Sequence, residues 1–211
     1  MTPDPREASR TVYTIGHSNH PIERFLELLR MHAVEAIADV RSHPHSRFNP
    51  QFSLKRLRAA LEDAGLAYLF LGRELGARSN DPSVYVDGKV DYGRLARTPR
   101  FEEGVARVCG AADIARVALM CAERDPIECH RAILVCPALQ ARGVDARHIR
   151  EDGRLESRAE LEARLLDAAG SHEGTTHDLF PELRQDRERR IAEAYRRRGR
   201  QIAFSARNSR A

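Results

Sequence analysis

Five short apolar runs, each separated from the next by a segment of helical period, constrain this chain more than any other feature. They lie at 11–15, 35–40, 67–71, 115–120 and 144–149 and are rich in Val, Ile, Leu and Tyr. A run that is apolar throughout, with no alternation, reads as a strand buried on both faces. Between the first two, Ile22, Phe25, Leu26 and Leu29 recur at helical spacing and make one stripe fit to cover a sheet. Strands alternating with helices of this length specify right-handed crossovers and a mostly parallel sheet. The expected class is therefore α/β, a Rossmann-like or flavodoxin-like sheet with helices on both faces.

Punctuation supports the same division. Pro21, Ser53, Thr98 with Pro99, and Ser157 with Glu160 are helix start signals, the last a capping box. Gly65 and Gly143 are expected helix stops. Two stretches break the alternation. Residues 42–51 form a polar loop with His43, His45, Ser46 and Arg47, and residues 72–97 carry Asp87-Gly88, a strong signal for a two-residue hairpin. That hairpin either lids a site or decorates a sheet edge. Pro137 falls inside an expected helix starting near His130, and a kink is predicted there.

The 211 residues suit one domain with an appendage. Residues 1–10 are expected to be disordered, 11–170 to form the α/β domain, and 171–211 to form a basic helical arm. Between Pro181 and Ala211 ten arginines face four acidic residues, against a net charge of only +4 for the whole chain. Such an arm is either a solvated helix face or a surface for nucleic acid. No apolar run approaches the roughly 18 residues a membrane span needs, and the first residues lack the apolar core of a secretory signal. A cytoplasmic protein with no membrane partner is expected, its four cysteines reduced.

In an open parallel sheet, ligands bind beyond the carboxyl ends of the strands. Here those ends are polar: Gly16-His17-Ser18, Asp39-Val40-Arg41, Cys121-Ala122-Glu123, and Cys129-His130-Arg131 at the next helix start. Cys129 is the candidate nucleophile, its thiol pKa lowered by the helix terminus and the adjacent cations, with Glu123 and His17 as proton carriers. Cys121, Cys129 and His130 are alternatively ligands for a transition metal such as zinc or iron, although their spacing matches no standard motif. A Cys121–Cys129 disulfide is a third option. Arg41, Arg47 and Arg131 are the candidate anion binders, with Asp39 either beside them in the site or their structural partner. No arginine follows Cys129 by six residues, and no Gly-rich phosphate loop is present. The small-molecule reading is an enzyme acting on an anionic or nucleotide-like ligand. The competing reading is a nucleic-acid-binding or adaptor module using residues 181–211.

The segments TIGHSN at 14–19, DVRSHPHSRFNPQF at 39–52, CAERDPIECHR at 121–131 and HIREDG at 148–153 resemble, in the same order, the family called domain of unknown function 488. The resemblance implies a compact α/β domain of bacterial and archaeal type, with Cys129, His130 and Arg131 among its defining residues. It implies no reaction. Leu75-Gly76-Ala77 departs from the Leu-Gly-Gly associated with that family.

Overall fold

The computed structural model describes residues 10–170 and 181–206, with side chains from residue 185 onward in the second span. The expectations for residues 1–9, and for the arm at 171–180 and 207–211, lie outside these residues. Arg10, placed with the disordered terminus from sequence, instead opens the first strand.

Among the described residues, eight strands and eight α-helices follow one another in chain order. The strands are β1 (Arg10–Gly16), β2 (Ala36–Asp39), β3 (Ala67–Phe70), β4 (Tyr85–Val86), β5 (Lys89–Val90), β6 (Val117–Cys121), β7 (Val144–Ile149) and β8 (Leu155–Glu156). The helices are α1 (Ile22–Met31), α2 (Leu54–Asp63), α3 (Gly72–Leu75), α4 (Tyr92–Leu95), α5 (Pro99–Ala112), α6 (Cys136–Gln140), α7 (Arg158–Ala168) and α8 (Pro181–Ile202). Six strands form one sheet in the order β3-β2-β6-β1-β7-β8, parallel except for β8. β6 sits between β2 and β1.

Period-two alternation along each strand builds the two covering layers. In β6, Val117, Leu119 and Cys121 face α5 and α6, while Ala118 and Met120 face α1 and α2. Of the stripe read from sequence, Phe25 and Leu29 of α1 are fully buried on that second face and Ile22 and Leu26 partly so, while Leu28, outside the stripe, is buried with them. Each such side chain contributes about 1.5–3 kcal/mol of burial. A smaller third core, made by Ala132, Ile133, Leu161, Leu165, Leu166 and Ala194, seats α7 and α8 together.

Local signals act as the chemistry of their residues requires. Asp87 and Gly88 both take positive φ, 51° and 79°, and turn β4 into β5 as an antiparallel pair. Ser157 and Glu160 form the capping box of α7. Gly65 and Gly143 take φ of 75° just past α2 and α6. Ser53 precedes α2 as expected, yet its hydroxyl bonds the Ser46 carbonyl instead of capping the helix.

Pro137 lies in the first turn of α6, directly after a π-turn over Arg131–Val135 in which the Cys136 N–H reaches back to the Arg131 carbonyl. A ring with no N–H is tolerated in a helix's first turn, and the wider turn before it resets the ladder there.

The C-terminal arm is docked rather than free. Ile191, Ala194 and Tyr195 of α8 pack on the third core, and the chain beyond α8 runs beside the hairpin. The Val90 N–H donates to the Phe204 carbonyl, and the Ala206 N–H to that of Gly88. Several arm arginines are committed to carboxylates: Arg189 and Arg190 to Asp186, Arg196 to Glu193, and Arg198 to Glu128. Among the described residues, no helix is long and apolar enough to cross a membrane.

Candidate functional site

The ends of β2, β6 and β1, adjacent in the sheet, converge on one cleft. The chain leaves β1 toward α1 on one face and leaves β6 toward α6 on the other, so a crevice opens between them. The two exits stay zipped briefly, with the His17 and Ser18 N–H groups donating to the Cys121 and Ala122 carbonyls, each at 2.9 Å. Gly16 makes this approach possible, since a Cβ there would stand 1.9 Å from the Glu123 carbonyl oxygen.

Four donor atoms gather at the cleft floor. The Sγ atoms of Cys121 and Cys129 lie 3.0 and 3.1 Å from the same Oε2 of Glu123. They stand 3.7 and 3.9 Å from Nδ1 of His130, and all four ligand atoms fall within 4.8 Å of one another. Each position has a local cause. Cys121 ends β6, Glu123 follows two residues later, and Cys129 precedes the π-turn, its carbonyl accepting from Ala132 and Ile133. Asp125 holds the intervening loop by accepting from the Ile127 N–H and from Arg150 and Arg164. The His130 Nε2 sits 3.0 Å from the Val40 carbonyl, which fixes the ring and leaves Nδ1 aimed at the sulfurs.

The charges of this group are mutually dependent. Burial alone would raise the Cys129 thiol pKa, but the Cys121 hydrogen bond and the Arg131 and His130 charges outweigh it and hold the thiol well below its ordinary value. Cys121 moves the other way, pushed up by its hydrogen bond to Cys129 and by burial. Burial, then the neighbouring thiolate, raises Glu123 above the usual carboxylate range. Burial would lower His130, but the bond and charge of Cys129 raise it overall. Cys136, buried among apolar side chains, is pushed up to about 12 chiefly by burial.

A second, rigid group supports the cleft wall. Asp39 and Arg41 are almost fully buried and joined by a two-pronged pair, Nε to Oδ1 at 2.9 Å and Nη2 to Oδ2 at 2.7 Å. The Tyr68 hydroxyl adds a 2.7 Å bond to Oδ2, and burial together with the Asp39 charge drives that phenol's pKa upward. Arg41 Nη1 also bonds the Phe52 carbonyl and approaches His17 Nε2 at 3.1 Å. Since His17 Nδ1 lies 2.8 Å from the Ser18 carbonyl, the ring is a neutral tautomer with Nδ1–H donating and Nε2 accepting. Burial and the Arg41 charge agree, depressing its pKa to about 4. The ring stacks on Phe52 at 4.3 Å. Both His17 nitrogens are thus committed within this wall.

Arg131 is buried completely and donates to the Glu123 and Arg124 carbonyls, so its charge acts on the cluster from behind. Arg47 stacks over Phe48 on the loop rim and is not among the residues lining the cavity. His43 and His45, from the polar loop, are exposed and line the cleft; His148 is a core histidine bonded to Thr14 Oγ1. The cleft has two lobes of about 440 Å³ each that share Arg41, His43, His45, Ala122 and Glu123. Arg78, Tyr92, Ile202 and Phe204 complete one lobe, and none was singled out from sequence. The Asp87-Gly88 hairpin signal lay near Tyr92, but nothing in the short AFSA segment marked Phe204 as part of a site.

A sequence profile of the family described as Domain of unknown function DUF488 matches residues 21–136, more than half of the chain. No curated protein and no solved structure matches it.

Proposed function

Since the chain belongs to the DUF488 family, whose description names no reaction, we propose from its own site that it is a metal-dependent enzyme acting on a small anionic or nucleotide-like substrate. The observation that carries this reading is the approach of two sulfurs, one imidazole nitrogen and one carboxylate oxygen to within 4.8 Å at the floor of a polar cleft. Three of these four groups become anions when deprotonated, and a cluster of that kind in a dry pocket favours a dication in place of its protons. Cys121, Cys129 and His130 supply the soft and borderline donors that suit zinc or iron. The Val40 carbonyl gives His130 the outer-shell partner that such ligands need.

Glu123 has a different character from the other three. Its residue is exposed while its Oε2 touches both sulfurs, so it joins the buried donors to the open cleft. A carboxylate with a raised pKa in that position is fit to take and return a proton. A metal held by Cys121, Cys129 and His130 would supply Lewis acidity, leaving Glu123 to carry the proton, a division of labour like that of zinc deaminases with their non-ligating Glu. The Asp39–Arg41–His17 wall orients the rim and keeps one side of the cleft from shifting. The arm's paired arginines weigh against the nucleic-acid reading.

The test is elemental analysis of protein purified without chelator or immobilised nickel, with thiol titration alongside. Stoichiometric zinc or iron in the wild type, lost in Cys121→Ser and Cys129→Ser but kept in Glu123→Gln, is the expected result. Metal-free protein with one thiol reacting fast well below pH 8 would replace this reading with a Cys129 nucleophile.

A further inference from the structure

The cleft's charge inventory leaves one guanidinium uncommitted. Arg41 is bound to Asp39 and the Phe52 carbonyl, and Arg124 to Glu151, Ser18 and Asn19. Arg131 is spent on backbone carbonyls, and Arg198 on Glu128 and the Ile127 carbonyl. Arg78 is different. Its backbone N–H donates to Ser42 Oγ at 2.9 Å, which fixes where the side chain departs. Its guanidinium lies over the Phe204 ring, 5.0 Å from the centroid. Among the described residues, no carboxylate or carbonyl bonds that guanidinium. A guanidinium resting over an aromatic face keeps its N–H donors, which can meet two oxygens of one anion together.

Arg78 lines the same lobe as Cys121, Glu123 and His130, and the lobe also contains Ser42 and Tyr92 as hydroxyl donors. Phe204 reaches this place because the segment after α8 pairs with the hairpin, so the platform under Arg78 is fixed by backbone hydrogen bonds at Val90 and Ala206. The rest of the lobe places acidic groups at the floor and at Glu128, already paired by Arg198. Among the described residues, an anion entering the lobe therefore finds Arg78 as its one guanidinium without a carboxylate or carbonyl partner.

We propose that Arg78, supported on Phe204, is the subsite for the oxyanion end of the substrate, a phosphate or a carboxylate. This rests on reading the cleft as the substrate cleft, and it does not require the metal. The probes are inorganic phosphate and acetate, titrated by calorimetry at low ionic strength into the full chain, with the Arg78 Nε–Hε resonance followed by NMR. Phosphate or acetate should shift that resonance, and the tighter of the two names the anion class. Arg78→Ala should weaken the preferred anion about tenfold or more, as loss of a charge-assisted fork implies. Arg78→Lys should recover part of the affinity, and Phe204→Leu should weaken it less than Arg78→Ala. Cys129→Ser, with its metal content measured in parallel, separates the two readings: anion affinity that persists without metal supports the Arg78 subsite whatever becomes of the metal centre. Anion affinity indifferent to Arg78→Ala, no anion binding at millimolar concentration, or binding abolished by Cys129→Ser alone would each overturn it.

Discussion

Replacing Asp39 by Ala tests how the cleft wall is held. The carboxylate accepts the Arg41 backbone N–H, Nε and Nη2 and the Tyr68 hydroxyl, at 3.1, 2.9, 2.7 and 2.7 Å. Its removal strands a guanidinium that is 5% exposed, with only the Phe52 carbonyl and His17 left as partners. Breaking a buried pair from one side costs about 3–5 kcal/mol, a large share of the roughly 5–15 kcal/mol that holds a domain together. In a chain of 211 residues each kcal/mol corresponds to about 2–4 °C, so the midpoint should fall by about 6–20 °C. Arg41→Met alone should cost less, because a carboxylate can take up a proton where a guanidinium cannot release one. The double variant should recover much of the single Asp39→Ala loss. Urea unfolding followed by far-UV circular dichroism gives all three values. A loss below about 1 kcal/mol for Asp39→Ala, or a double variant no better than the worse single, would mean the pair does not carry the wall.

Three further outcomes follow from the packing and the buried histidines. His17 and His148 are held near pKa 4 and 3, chiefly by burial, against an ordinary 6.5; the unfolded chain therefore binds more protons between these values, and stability should fall as pH drops from 6.5 toward 4. Each contributes a slope of up to about 1.4 kcal/mol per pH unit, so denaturation series at stepped pH on His148→Gln should show a shallower decline than wild type. Gly16→Ala forces a Cβ onto the Glu123 carbonyl, and should cost about 1–3 kcal/mol while lowering metal content in protein that still folds in the cold. Truncation after Ile202 removes the acceptor of the Val90 amide, which hydrogen exchange should report as lost protection at Val90 with protection of the β6 amides unchanged.

The five main parallel strands were legible because each falls in a short run rich in Val, Ile, Leu or Ala between segments of helical period. Ser157 with Glu160 and Asp87 with Gly88 were legible because their chemistry is local, complete within four residues or fewer. The polar strand ends identified His17, Asp39, Arg41, Cys121, Glu123, Cys129 and His130 as neighbours, since the parallel rule puts all such ends on one side. It could not say which of them would bind each other. Arg41 and Arg131 look alike in sequence to Arg78, yet the first two meet an acid and a pair of carbonyls inside the fold while Arg78 meets a ring from residue 204. Sheet order was likewise hidden, because the placement of β6 between β2 and β1 depends on contacts across a hundred residues and leaves no local mark. The π-turn before Pro137 shows the reach of a local rule: the proline marked a break in the regular ladder, and the widened turn that accompanies it left no mark of its own in the sequence.

The placement of β1 sets a timetable. Its two neighbours in the sheet are β6 and β7, which begin at Val117 and Val144, so the strand nearest the N-terminus cannot pair on either side until more than a hundred further residues exist. β2 and β3, in contrast, pair with each other across the short α2 connection. A chain emerging from the ribosome would hold β1 unpaired and apolar while the β2–β3 unit forms, and would commit it only as β6 slots between them. Such a topology closes its longest loops last, and folding of this kind is slow and exposed to aggregation in the interval. Mutations that add apolar surface to β1 should then lower soluble yield out of proportion to any effect on the finished protein.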